Sequence, residues 1–448
     1  MDTGNVAIQW EDLLFFLPIL VVIYGVCIGL FKIFWSEKAS LKMFIAGLTA
    51  KILGGVFITL IYMYYFRGGD TLNYYFFGAY MHDYLMTDFS EAWSSFSKMR
   101  DTSGELFNGE KIDYLRSPST WLIVRLSALS MFFSFKSYLG SVALFSTISY
   151  LAIWKAYLKF LKFFPTMRWQ LAIGFLFYPS VLVWGSGIFK DTVTLAALMV
   201  AFVATYEILF ERKRIVLNSF LLLVSIFLMF VIKIYILIAF VVAFAAFAFF
   251  HQVGRIRDFK TKLFLSPLIL AVTAGSMFYL VNYIGQNSER YAAEALLNSA
   301  VIQNAYLSGD AVGAGSAYSI GEIQPTLGSF AKVAPNAVIV TYFRPFPWEI
   351  SSAAMVLAAL ESLLILLLTL YVFISTPLGK VIAVIRKNDV LIFCLLFCLI
   401  FALAVGIASG NFGSLVRYKI PCLPFYVTYL LAIHHLARQP NYKSVVSS

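Results

Sequence analysis

From Ile215 to Phe250 the chain carries one charged residue, Lys233, in an apolar run nearly twice the about 20 residues that cross a bilayer as one helix. One continuous helix is therefore excluded. Two spans joined by a tight turn at Lys233 satisfy both the length and the cost of a charge at mid-membrane, about 2.5–3.5 kcal/mol on insertion scales. Apolar runs recur from Leu13 to Leu436. Hydrophobic residues make up 61% of the 448 and charged residues 13%, against about 45–50% and about 25% in soluble domains. The fold class read from this pattern is an all-α polytopic membrane protein. A cytosolic enzyme, a secreted disulfide scaffold and a DNA-binding protein are excluded, and nucleic acid is not an expected partner despite the +11 net charge.

The runs predict about 11 transmembrane helices, at about 13–35, 43–66, 137–158, 170–188, 192–210, 216–232, 234–250, 263–283, 352–375, 390–408 and 419–435. Alternate connections differ in charge. One set holds Lys38, Lys42, Lys155, Lys159, Lys162, Arg168, Arg212, Lys213, Arg214, Arg255, Arg257, Lys260, Lys262, Lys380, Arg386, Lys387, Arg438 and Lys443, with only Glu37, Glu211, Asp258 and Asp389 as acids. The positive-inside rule makes this set cytoplasmic, which puts the N-terminus outside and the C-terminus inside. Two long loops, about 67–136 and 284–351, then face outward and carry interfacial helices. Residues 1–438 read as one integral membrane domain and 439–448 as a cytoplasmic tail. Met1–Asp12 is acidic, unlike the basic start of a signal peptide, so no cleavable leader is expected. Cys27, Cys394, Cys398 and Cys422 lie inside apolar runs and read as small hydrophobes.

The outward loops hold the residues that suggest chemistry. In FRGGDTLNYYFFGAY, Gly68 and Gly69 allow a tight turn and Asp70 stands where a helix starts. Asp70 reads either as a helix N-cap or as a carboxylate held at lipid-headgroup depth, with Tyr74 and Tyr75 on the next turn. The aromatic stretch 71–89 reads as an interfacial helix, and a segment at 119–134 carrying Arg125 as an interfacial or re-entrant one. Lys190 and Asp191 occupy one outward turn and Lys233 another; Arg344 lies near the end of the second loop, and Arg417 and Lys419 lie at the outer end of the last span. Each cation alone fits a membrane anchor. Together they fit ligands for a phosphate or pyrophosphate headgroup. His82–Asp83 reads as a surface pair. Lys51, Glu207 and Glu361 are the charges nearest the membrane interior. No metal-ligand spacing occurs, so no cofactor and no obligatory metal are expected.

The order of these elements resembles the GT-C superfamily of membrane glycosyltransferases, which use polyprenyl-phosphate-linked sugars. The resemblance rests on an acid, Asp70 in GGDTLNYY, opening the first outward loop, on interfacial helices within it, on paired spans with short outward turns, and on a second large loop later in the chain. PSVLVWGSGIFKD, FRPFPWE and NFGSLVRYKIPCLPFY also look like stretches of bacterial surface-polysaccharide membrane proteins. The second acid that often accompanies the first in that superfamily is replaced here by Asn73 and, further on, Asp83. The resemblance implies a GT-C-like fold in a bacterial inner membrane, with a polyprenyl-phosphate-linked sugar and a glycan or lipid acceptor as partners. Asp70 would be the general base, and Lys190, Arg344 and Arg417 would meet the leaving phosphate. Alternatives are a polymerase or ligase acting on undecaprenyl-pyrophosphate glycans, and a lipid or glycan transporter.

Overall fold

The computed structural model describes residues 8, 10–37, 39–90, 92–93, 115, 117–255, 293–308 and 316–439. Among the described residues the regular elements are helices, apart from an isolated bridge between Ala317 and Asn411. Two compact units emerge, one of residues 1–162 and 171–237, the other of residues 163–170 and 238–448. Among the described residues eight helices are long and apolar enough to cross a membrane, or nine if one bent pair counts as a span. The span expected at 263–283 lies outside the described residues, as does the tail beyond residue 439.

The first unit begins with α1 (Trp10–Phe34) and α2 (Leu41–Leu60), which ends in a π-helical turn at Ile61–Tyr65. Two further helices, α3 (Asp70–Thr87) and α4 (Pro118–Ser134), occupy the first long loop, where sequence alone expects helices at 71–89 and 119–134. They share a core of Leu72, Tyr74, Trp121, Val124 and Ala128, closed by Tyr138 at the start of α5 (Tyr138–Phe163).

The segment expected as one span at 170–188 is broken instead. It forms α6 (Arg168–Phe175), then α7 (Pro179–Val183), then a turn through Gly187 to Phe189. Pro179 explains the break. It has no N–H to continue a helix and it pushes Tyr178 to an extended ψ of 125°. Gly54 of α2 lies so close to α7 that a Cβ there would meet the Leu182 carbonyl oxygen at 2.1 Å. One turn earlier, buried Lys51 donates to the Val181 carbonyl at 2.6 Å, in the last turn of α7 where helix carbonyls lack partners. Backbone cannot swing aside as a side chain can. Gly54→Ala is therefore expected to lower stability by about 1–3 kcal/mol, the range for overpacking. Gly25→Ala, with nothing within 4 Å, serves as the neutral control in detergent thermal unfolding. Equal melting of the two variants would contradict this packing.

The unit continues with α8 (Lys190–Tyr206), a π-helical turn at Glu207–Glu211, and α9 (Ile215–Ile232). Lys233 breaks the long apolar run, with φ −149° and ψ 82°, and α10 (Ile234–Arg255) follows. The helix is thus broken at Lys233, where the sequence leads one to expect a turn.

The second unit takes in α10 from residue 238 onward, and its further described elements are α11 (Ala293–Ser308), α12 (Leu327–Phe343), α13 (Ala353–Ser375), α14 (Leu378–Lys387), α15 (Val390–Ala408), α16 (Phe412–Tyr418) and α17 (Leu423–Ala437). The second long loop does not merely lie along a surface. Its α12 is packed along α15, with Thr341 Oγ1 donating to the Ala402 carbonyl at 2.9 Å and Tyr342 Oη to the Cys398 carbonyl at 2.9 Å. The expected last span, 419–435, is the bent pair: α16 and α17 meet at 68°, with Lys419 in the corner. All four cysteines are free and buried.

Candidate functional site

The residues singled out from the sequence fall into two clusters, one per unit. In the first unit the site is assembled by α3, α4 and the N-terminus of α8. Gly69, at φ 113°, sits just before α3. A side chain there would be strained in this backbone and would also meet the Tyr62 ring at 2.7 Å. The glycine, not Asp70, is the N-cap; Asp70 is the first helical residue, half-buried. An anion in the first turn is favoured by the helix dipole and the unpaired N–H groups there.

Tyr74 lies one turn beyond Asp70 on the same face of α3. Its side chain is buried at 1% exposure, so it is a wall of the site and not an open sugar platform. Lys190 Nζ stands 5.9 Å from that ring and donates to Thr120 Oγ1 of α4 at 3.0 Å. A cation from α8 thus reaches a tyrosine that lies one turn from Asp70 on α3. Tyr75 points elsewhere: its hydroxyl donates to the Lys136 carbonyl at 2.6 Å and its ring lies 4.5 Å from that of Tyr138. Burial, and then the charges of Asp12 and Asp83, push the Tyr75 phenol up, so it remains a neutral donor.

Asp191 and Lys233, expected as headgroup ligands, form a buried ion pair, at 1% and 8% side-chain exposure. Sequence alone finds no acid near Lys233. The partner is 42 positions away and arrives only because the turns before α8 and α10 meet. Arg125 of α4 lies over the Trp121 ring at 5.3 Å; burial lowers its guanidinium to about 10, which leaves it charged at neutral pH. The His82–Asp83 pair has a third member, Lys136, whose Nζ reaches the carboxylate at 2.8 Å. Partial burial raises the Asp83 carboxyl, but hydrogen bonds and charge from Lys136 and His82 outweigh it and hold the group below the usual range.

In the second unit Arg344 is gripped by Glu349 through Nε, at 2.9 Å and 3.1 Å, and through Nη2. Its guanidinium also lies 5.1 Å from the Phe412 ring and 5.4 Å from that of Tyr318. Glu349 is raised by burial and lowered more strongly by Arg344 and the Phe346 N–H, so it stays ionised and neutralises the arginine. Lys419 is fully buried and donates to Ser362 Oγ at 3.0 Å, and Ser362 donates on to the Arg344 carbonyl at 2.9 Å. The structure therefore joins Arg344 and Lys419 through one serine, with half-buried Arg417 on α16 beside them in sequence. Both cations are engaged within the protein.

Thr120, Lys136 and Ser362 are the residues that sequence reading passes over. Small hydroxyls carry no charge signal, and Lys136 resembles any loop lysine. Among the described residues no three His, Cys, Asp or Glu side chains are grouped as metal ligands would be. Comparison with protein-family models, curated proteins and solved structures gives no match, so a functional reading rests on the geometry of this chain.

Proposed function

We propose that the protein is a membrane glycosyltransferase that moves a sugar from a polyprenyl-phosphate donor to a hydroxyl of a glycan or lipid acceptor. The observation that carries the reading is that Lys190, bonded to Thr120, reaches the Tyr74 ring one helical turn from Asp70 on the same helix. Asp70 takes the acceptor hydroxyl proton as that oxygen attacks the sugar C1. The C1–O bond to phosphate breaks, and the phosphate keeps the electron pair. Lys190, fixed by Thr120, meets the charge that develops there. The Asp191–Lys233 pair holds the N-terminus of α8 in place. Arg344 and Lys419, engaged by Glu349 and Ser362, are scaffold in this scheme.

Under the positive-inside rule the Asp70 end is extracytoplasmic and the Arg214 end cytoplasmic, in a bacterial inner membrane. The test is the purified chain in vesicles with a labelled polyprenyl-phosphate sugar and a glycan acceptor. Sugar transfer with release of polyprenyl phosphate is expected. Binding of the donor with no transfer to any acceptor would overturn the enzymatic reading.

One observation favours a second reading, a lipid or glycan transporter. Interrupted helices α6 and α7, with the buried Lys51 at a helix carbonyl end, are the type of element that lines transport paths. Movement of an unaltered lipid-linked glycan across vesicles, without transfer, distinguishes it.

A further inference from the structure

The first unit contains two cavities that share Trp35 and Lys155. One, of about 560 Å³, lies between α4, α5, α8 and α9 and is lined by Leu129, Phe133, Ile148, Val200, Leu221 and Leu228 among others. Its volume is within the ~300–1,000 Å³ typical of ligand sites. The other, of about 510 Å³, opens at the far end of α5 and holds Lys155, Lys159, Lys162, Lys213 and Arg214 with Glu207 and Glu211. An apolar trough thus leads into a basic chamber.

The charges in the chamber do not balance. Lys159 bonds both Glu207 and Glu211 at 3.0 Å, and Glu211 also takes Lys162 at 3.5 Å and Lys213 at 3.3 Å. Glu207 is further held by Asn218 at 3.0 Å. Five cations face two acids, and Lys155 and Arg214 are left without an ion pair among the described residues. Arg214 lies against the Phe34 ring at 5.6 Å, from a backbone at φ 45° that a non-glycine residue adopts at a cost. Lys155 stands where the trough meets the chamber.

We propose that this is a site for one anionic phospholipid. Its phosphate lies between Lys155 and Arg214, and an acyl chain lies in the trough between α5 and α9. The chemistry selects the occupant: cations that outnumber the acids, two of them outside any ion pair among the described residues, call for an anion, and the adjoining apolar trough calls for a chain attached to it. Basic pockets between transmembrane helices recognise headgroups in this way. The site is independent of the glycosyl-transfer reading, which concerns the opposite end of the unit.

Trp35 lines both cavities and reports on them. The full chain is placed in phosphatidylcholine nanodiscs containing dibrominated phosphatidylglycerol, or dibrominated phosphatidylcholine at the same mole fraction. The Trp35 signal is the difference between the chain and Trp35→Phe. Quenching by the anionic lipid is expected at much lower mole fraction. Lys155→Gln with Arg214→Gln should lose that preference by about fivefold for each cation removed, the equivalent of ~1 kcal/mol each. Lys155→Arg should keep it. Equal quenching of the unaltered chain by the two lipids would mean bulk lipid fills the trough and would overturn the proposal. So would a preference that survives in the double variant. Should that variant not assemble, salt decides: the preference of the unaltered chain must weaken as ionic strength rises, and a salt-independent preference refutes the phosphate contact.

Discussion

Asp70→Asn is expected to abolish nearly all sugar transfer while the protein inserts and folds as before. Asparagine keeps the shape of the side chain and the first-turn position on α3. What it loses structurally is a negative charge at a helix N-terminus, worth about 0.3–1 kcal/mol when exposed. What it loses chemically is the proton acceptor, worth about 10²–10⁴ in rate. The second effect dominates by several kcal/mol, so activity and stability should separate. Initial rates of polyprenyl phosphate release measure the first, and detergent thermal unfolding measures the second. Asp70→Glu should recover part of the rate, because a longer carboxylate still accepts a proton from a displaced position. Transfer by Asp70→Asn within a few-fold of the unaltered chain would leave Asp70 as a first-turn acid only. A loss of rate matched by a loss of folding would place it in the scaffold instead.

The sequence makes the helices legible wherever one physical term dominates. Lys233 inside an apolar run argues against one continuous helix, because neither the length nor the charge fits a single span, and the helix breaks there. The aromatic stretch after Asp70, too polar to span, and the segment at 119–134 both read as helices within the first long loop, and both are helices. Legibility ends where two distant segments decide the outcome together. Hydropathy makes 170–188 a span, but Pro179 and the carbonyl contacts of Lys51 and Gly54 produce a broken segment. Charge alone makes Lys233, Arg344 and Lys419 available to a ligand. Their partners, Asp191, Glu349 and Ser362, become visible only once the backbone is in place. The partner of Lys190, Thr120, is a hydroxyl from a helix 70 positions away, a relation that no local pattern encodes.

The Asp191–Lys233 pair yields the largest expected effect on stability. Surface ion pairs contribute about 0–1 kcal/mol, but this one is buried at 1% and 8% exposure, where removing one partner strands the other charge. Lys233→Met alone should cost about 3–5 kcal/mol, and Asp191→Leu alone a similar amount. Together the two substitutions should recover most of the loss, since replacing a whole buried pair by apolar side chains is often neutral or stabilising. Unfolding of the four proteins in one detergent closes the cycle. Losses that simply add would show that the two charges do not depend on each other. The double variant also carries information about the site. It restores packing at the start of α8 but not the ion pair beside Lys190, which under the proposed scheme holds that end of the helix in place. Stability should therefore return while transfer stays depressed, the reverse of a purely structural pair, for which both would return.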